Sequence, residues 1–110
     1  MPVTTADKVV ALSRDFGSQR RLAELLGVSP AQVTRWRRGQ GIDDVNAGRV
    51  DLLELVMANL LRFYSTEAAE RWLLGVNPSL RERRPLDLIR RGQTGEVLEA
   101  IANERAGSFT

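Results

Sequence analysis

Between two apolar stretches the chain reads Leu26-Gly27-Val28-Ser29-Pro30-Ala31-Gln32-Val33, and this octapeptide leaves the backbone little choice. Gly27 suits the left-handed conformation that ends a helix. Ser29 can accept the amide of Gln32 while the Gln32 side chain reaches back, and Pro30 stands at the first helical position, where a missing N–H costs nothing. The chain therefore leaves one short helix and enters another through a turn of about three to four residues. Before the turn, Leu22, Leu25 and Leu26 recur at helical spacing behind Ser18 as cap. Beyond it, Val33 and Trp36 share a face of a helix running from Pro30 to about Arg38, with Gly39 as its stop.

The same punctuation continues in both directions. Thr4 or Thr5 can cap a first helix with Val9, Val10, Leu12 and Phe16 on one face and Gly17 at its end. After the link GQGIDDVNAGR, a long helix is expected from about Val50 to Tyr64, carrying Leu52, Leu53, Leu55, Val56, Leu60, Leu61 and Phe63. A fifth helix, Thr66 to Leu74, stops at Gly75. VNPSL reads as a turn, Pro85 to Arg91 as a short helix before Gly92, and Thr94 to about Arg105 as the last helix. No stretch alternates as a half-buried strand does. The expected class is all-α, with about seven helices: an N-terminal helix-turn-helix bundle over 1–49 and a small C-terminal helical domain over 50–110. A chain of 110 residues is small enough that length alone favours one core over two independent ones.

Composition narrows the chemistry. With no cysteine there is no disulfide or thiolate, and with no histidine no imidazole base or zinc ligand. Carboxylates are the remaining catalytic candidates and none sits in a recognisable pair, so an enzyme is the least supported class, and no cofactor or small-molecule substrate is expected. MPVTTADKVVALSRDF lacks the apolar core of a signal peptide, and no run approaches the roughly 20 apolar residues of a membrane helix. The reading is a cytoplasmic protein with no membrane association. Net charge is only +2, yet fifteen of the sixteen basic residues are arginine. Arginine excess fits phosphate recognition or a coding bias alike, and position decides between them. Residues 18–41 hold five arginines against one acid, Glu24, so the basicity is local, either a nucleic-acid surface or a solvated charged face.

From Gln19 onward the pattern resembles the helix-turn-helix of phage-repressor-like (Xre-type) regulators: small Ala23 where helices cross, Gly27 at the turn, Val33 and Trp36 inward. Trp36, in register with Val33, reads as core rather than as a stacking platform for bases. The outward face is then Pro30, Ala31, Thr34, Arg35 and Arg38, with Gln32 at its edge. The resemblance implies that Ala31, Gln32, Thr34 and Arg35 meet bases. Arg35 is the most specific candidate, since bidentate arginine to guanine is the commonest such contact. Arg20, Ser29, Arg37, Arg38 and Gln40 suit phosphates, which fix register without reading sequence. Repressors of this kind bind operator DNA as dimers, although an inherited fold can also persist as a scaffold.

The second half carries its own arginines, Arg81, Arg83, Arg84, Arg90 and Arg91, among Glu82 and Asp87, while Glu96, Glu99 and Glu104 make the last helix acidic. Trp72-Leu73, Asn77-Pro78, Leu80, Arg84-Pro85, Asp87-Leu88, Gly92 and Val97-Leu98 follow in an order similar to that of the toxin-binding domain of the MbcA/ParS/Xre antitoxins. The resemblance spans roughly Leu55 to Phe109, with Val76 departing from the small or polar residue more usual there. It implies an antitoxin that binds a RES-domain toxin acting on NAD, and that represses its own operon through the helix-turn-helix.

Read residue by residue, Asn77-Pro78 and Pro85 are first of all architecture, and Trp72 and Leu73 are more at home in a core than on a partner. The arginines from Arg81 to Arg91 suit solvent, DNA or an acidic rim on the toxin. After the last helix, Ala106-Gly107-Ser108 reads as a flexible link to Phe109 and Thr110. Phe109 either folds back on its own core or anchors in a partner's pocket. Family resemblance favours the pocket, with Gly107, Ser108, Phe109 and Thr110 approaching the toxin active site. The expected function is a homodimeric antitoxin and autorepressor with two partners, a cognate RES-domain toxin and operator DNA. The alternative is a stand-alone dimeric helix-turn-helix transcriptional repressor whose residues 50–110 serve dimerisation alone.

Overall fold

Helix α1, Thr5–Asp15, starts on a capping box. Thr4 Oγ1 accepts the Asp7 amide at 3.1 Å and the Asp7 carboxylate accepts the Thr4 N–H at 3.4 Å. The computed structural model describes residues 4–108, and of Ser108 the backbone alone. Among them it holds α1, α2 (Gln19–Leu26), α3 (Pro30–Arg37), α4 (Asp44–Leu60), α5 (Thr66–Leu74), a 3-10 turn at Pro78–Leu80, α6 (Pro85–Arg90) and α7 (Thr94–Ser108). The only extended pairing among these residues is an isolated bridge between Asn77 and Arg83. The class is all-α, with seven helices among the described residues, as the spacing predicts.

Caps set most boundaries. Ser18 accepts the Arg21 amide at 3.0 Å and Ser65 that of Ala68 at 3.1 Å. Ser29 and Gln32 close both halves of their box, at 3.2 and 2.9 Å, with Pro30 at the first helical position. α2 and α3 end alike. Gly27, at φ 72°, donates to Glu24 O, and Val28 donates to Ala23 O. Gly39, at φ 75°, donates to Trp36 O, and Gln40 donates to Arg35 O. These paired bonds satisfy carbonyls the helix leaves open, and they require the left-handed residue that glycine supplies without strain.

The chain divides into two compact units, residues 1–54 and 55–110, with the boundary inside α4. Length favoured a single core; a 17-residue helix is long enough to lend one end to each unit. In the first unit α1, α2 and α3 pack on one another around Val9, Leu12, Leu22, Leu26, Val33 and Trp36, all buried. In the second, α6 packs on α5 and α7, and α7 on the 3-10 turn, with Ala69, Leu73, Leu80, Leu88, Ile89 and Val97 buried.

Several expectations are corrected. Val10 is 39% exposed, while Ser13 is buried in its place on the stripe Val9-Leu12-Ser13-Phe16. The Ser13 hydroxyl is satisfied by Val9 O at 2.8 Å, so register outweighs polarity there. α4 spans Asp44–Leu60 rather than 50–64, because Asp43 accepts the Asn46 amide at 3.2 Å and, through its carbonyl, the Ala47 amide at 2.9 Å. That nucleates a helix through Gly48. Leu55 and Leu61, at 41% and 36% exposed, lie off the buried stripe Val50-Leu53-Val56-Met57-Leu60. Within VNPSL, residues 78–80 form a 3-10 turn capped by Asn77 Oδ1, which accepts from Ser79. Trp72 is half-buried rather than core, its indole N–H buried without a hydrogen-bond partner among the described residues. α7 runs on through Ala106 and Gly107 to Ser108, so the expected flexible link is helix.

Candidate functional site

In the first unit the basic residues gather on α3. Its buried side, Val33 and Trp36, is fully occupied by the core, which leaves Pro30, Ala31, Arg35, Arg37 and Arg38 exposed, with Gln32 and Thr34 half-buried at the margins. Ser29 and Gln40, at either end of the helix, are exposed, as is Arg20 on α2. No acidic residue stands between Gly27 and Ile42, and among the described residues Arg35, Arg37 and Arg38 form no ion pair. Such uncommitted guanidinium groups can meet phosphates or base edges.

Arg37 and Arg38 line a cleft of about 280 Å³ together with Val10, Gln19 and Thr34. The Thr34 hydroxyl has its one hydrogen within reach of two acceptors, Gln19 Oε1 at 3.0 Å and the Pro30 carbonyl at 3.1 Å, and the first of these ties the start of α2 to the middle of α3. Gln19 is thus a site residue that sequence reasoning missed, as is Val10. The signal for Gln19 was present: it follows the cap Ser18 and therefore opens a helix. Gly41 is a third omission. At φ 70°, a Cβ there would lie 3.8 Å from Arg35 Nε, so the loop after α3 passes close beside that guanidinium.

The second unit treats its arginines differently. Arg83 pairs with Glu96 at the start of α7, and its Nε donates to Leu80 O at 2.8 Å. Arg84 makes a two-pronged contact with Asp87, at 3.0 and 2.9 Å. The Arg84 hydrogen bonds hold the Asp87 carboxyl below the usual carboxylate range, aided by the charges of Arg84, Arg90 and Arg91 against partial burial. Arg81 and Arg91 are exposed and Arg90 half-buried. Arg81 and Glu82 both hold left-handed backbone, φ 57° and 62°, in a loop closed by Asn77 and Arg83: Asn77 N donates to Arg83 O, and Glu82 N to Asn77 O, each at 3.0 Å. The expected cluster is therefore split: Arg83 and Arg84 each hold a carboxylate, Arg90 is half-buried, and Arg81 and Arg91 are exposed. Near the end of the chain, the Tyr64 hydroxyl bonds Glu104 and so ties α7 to the segment after α4. Gly107 and Ser108 lie in the last turn of α7, whereas Phe109 and Thr110 fall outside the described residues. No helix of the described chain is long and apolar enough to cross a membrane.

Set against known proteins, no family model matches the chain. Over 100 residues, 90% of its length, it is 30% identical to the mycobacterial cidal antitoxin MbcA of Mycobacterium tuberculosis H37Rv and, to the same extent, to that of Mycobacterium bovis; the alignment covers 88% of each relative. A chain in the crystal structure of the M. tuberculosis MbcT–MbcA toxin–antitoxin complex superposes with a TM-score of 0.69 at 27% identity, over 92% of this chain and 90% of that one. The shared identity spans both compact units, and the all-helical arrangement matches with it. This chain belongs to the MbcA family of antitoxins.

Proposed function

We propose that this chain neutralises a cognate RES-domain toxin that acts on NAD, and that it represses its own operon by binding DNA through α2 and α3 as a helix-turn-helix. It does so as a homodimer and without catalysis of its own. One observation carries the reading: the likeness to MbcA runs across 90% of the chain, and the solved neighbour was crystallised with its toxin. Toxin binding belongs to residues 50–110, through the outward arginines of 81–91 and the end of α7, with Phe109 and Thr110 placed at the toxin active site. DNA binding belongs to residues 1–49, supported by the uncommitted arginines of α3.

The test is co-expression with the neighbouring gene product. The full chain should co-purify with a RES-domain protein in fixed stoichiometry and abolish its NAD consumption, and a chain ending at Arg105 should leave NAD consumption running while retaining DNA binding. Recovery of the chain alone at high yield would replace this reading with the stand-alone repressor, which the exposed arginines of α3 also suit.

A further inference from the structure

Once the internal hydrogen bonds of α3 are assigned, the part of its outward face formed by Pro30, Ala31 and Thr34, beside the arginines, keeps no free hydrogen-bond donor. Thr34 has one polar side-chain atom, and that oxygen is engaged by Gln19 Oε1 at 3.0 Å and by the Pro30 carbonyl at 3.1 Å. A hydroxyl carries a single hydrogen, and these two acceptors take it, so Thr34 has no donor left for a base edge; its oxygen keeps acceptor capacity, and its methyl adds to the apolar patch of Pro30 and Ala31. Gln32 Oε1 is held by the Ser29 N–H at 2.9 Å. Pro30 and Ala31, both exposed, have no polar side-chain atom at all. Residues 30, 31 and 34 share one helical face, and on its border stands Arg35, exposed and without an ion pair among the described residues.

Resting on the DNA-binding reading above, we infer that Pro30, Ala31 and Thr34 form an apolar reader of thymine, with Thr34 the residue that recognises a thymine 5-methyl group beside the base contacted by Arg35. In the major groove the 5-methyl of thymine is the apolar mark, whereas the other bases offer donors and acceptors there. A patch with no free donor strips water from the N7 and O6 acceptors of the purines and returns no bond to them, which disfavours those bases. Against a methyl it loses nothing and buries carbon on carbon. The Gln19 bond supports this preference, because it commits the Thr34 hydrogen to an acceptor within the helix pair.

The test separates this from DNA binding itself. Duplexes enriched from a random pool by the full chain are resynthesised with deoxyuridine in place of thymidine at one position at a time, which removes the methyl and nothing else. At one thymidine the wild-type chain should bind roughly three- to fivefold more weakly, the effect of one lost methyl contact. Thr34→Val should show the same penalty. Thr34→Ser, which lacks the methyl, should bind the thymidine and deoxyuridine duplexes alike. Because the change lies in the DNA, the wild-type result does not depend on any variant folding. The inference is overturned if no single deoxyuridine weakens wild-type binding, or if the penalty persists in Thr34→Ser. Failure to enrich any sequence would remove the DNA-binding reading and this inference together, whereas enrichment without a methyl effect would remove this inference alone.

Discussion

Arg35 and Arg84 are the same residue put to opposite uses. Arg84 lies three positions from Asp87 and closes on it with two hydrogen bonds; Arg83 finds Glu96 across the second unit. Arg35, Arg37 and Arg38 occupy a stretch, Gly27 to Ile42, from which acids are absent, and their heads stay outward. Even α2 shows the contrast, since Arg21 reaches Glu24 at 3.0 Å. An arginine is left without a carboxylate partner where the sequence withholds acids within helical reach, and serves local structure where it supplies them. Charge totals do not distinguish the two halves of this chain; the placement of Glu24, Asp87 and Glu96 does.

The largest effect that could break this contrast comes from the anchor of α3. Trp36 is 2% exposed, and Trp36→Ala should cost about 3–5 kcal/mol of stability, the usual range for emptying a large aromatic site. DNA binding should disappear with the helix. A thermal denaturation curve nearly superposable on that of wild type would show that the arginine face does not depend on this anchor. Next in size is Arg35→Ala. It should cost roughly 1–3 kcal/mol on the enriched duplex and far less on a scrambled one, measured by competition at a fixed salt concentration. Equal losses on both duplexes would move Arg35 from the bases to the phosphates.

How much of this was legible from sequence follows physical lines. Boundaries written in local chemistry, such as Ser29-Pro30-Gln32, Gly27 and Gly39, needed only neighbours three or four residues away, and the structure places caps and stops there. Asp43 was an equally local cap, but Gly48 and the polar run around it masked the start of α4. Burial is harder to read, because hydrophobicity is no substitute for register: Val10 is apolar but lies off the stripe, whereas Ser13, four residues on from Val9, continues it with Leu12 and Phe16. Gln19 escaped because its partner, Thr34, lies 15 residues away. The partition of the arginines between Arg83-Glu96 pairing and outward exposure likewise depends on how the 3-10 turn and α7 pack, which no spacing rule encodes.

A smaller effect sharpens the contrast through salt. Arg38→Ala should weaken binding to specific and scrambled duplexes alike and reduce the slope of log affinity against log salt by about one unit, the loss of one phosphate contact. Arg83→Ala, which removes an internally paired guanidinium, should leave that slope unchanged. Salt-titrated binding of the two variants side by side reads the difference, and an equal fall in slope would abolish the distinction between uncommitted and paired arginines.

The smallest effect tests the paired side by pH. The hydrogen bonds from Arg84, first among the causes, hold the Asp87 carboxyl below its ordinary 3.8. The unfolded chain therefore binds this proton more tightly than the folded one does. The stabilisation is complete above 3.8 and fades as pH falls through the lower, folded value. Both side chains are more than a third exposed, so solvent and salt screen the pair and its contribution is slight. Asp87→Asn removes the titrating group. Between about pH 5 and pH 3, the wild-type melting temperature should fall slightly more than that of the variant, and 1 M salt, with a screening length of about 3 Å, should narrow the gap. Identical pH profiles would mean that Arg84 gains nothing from Asp87 and is as uncommitted as Arg35.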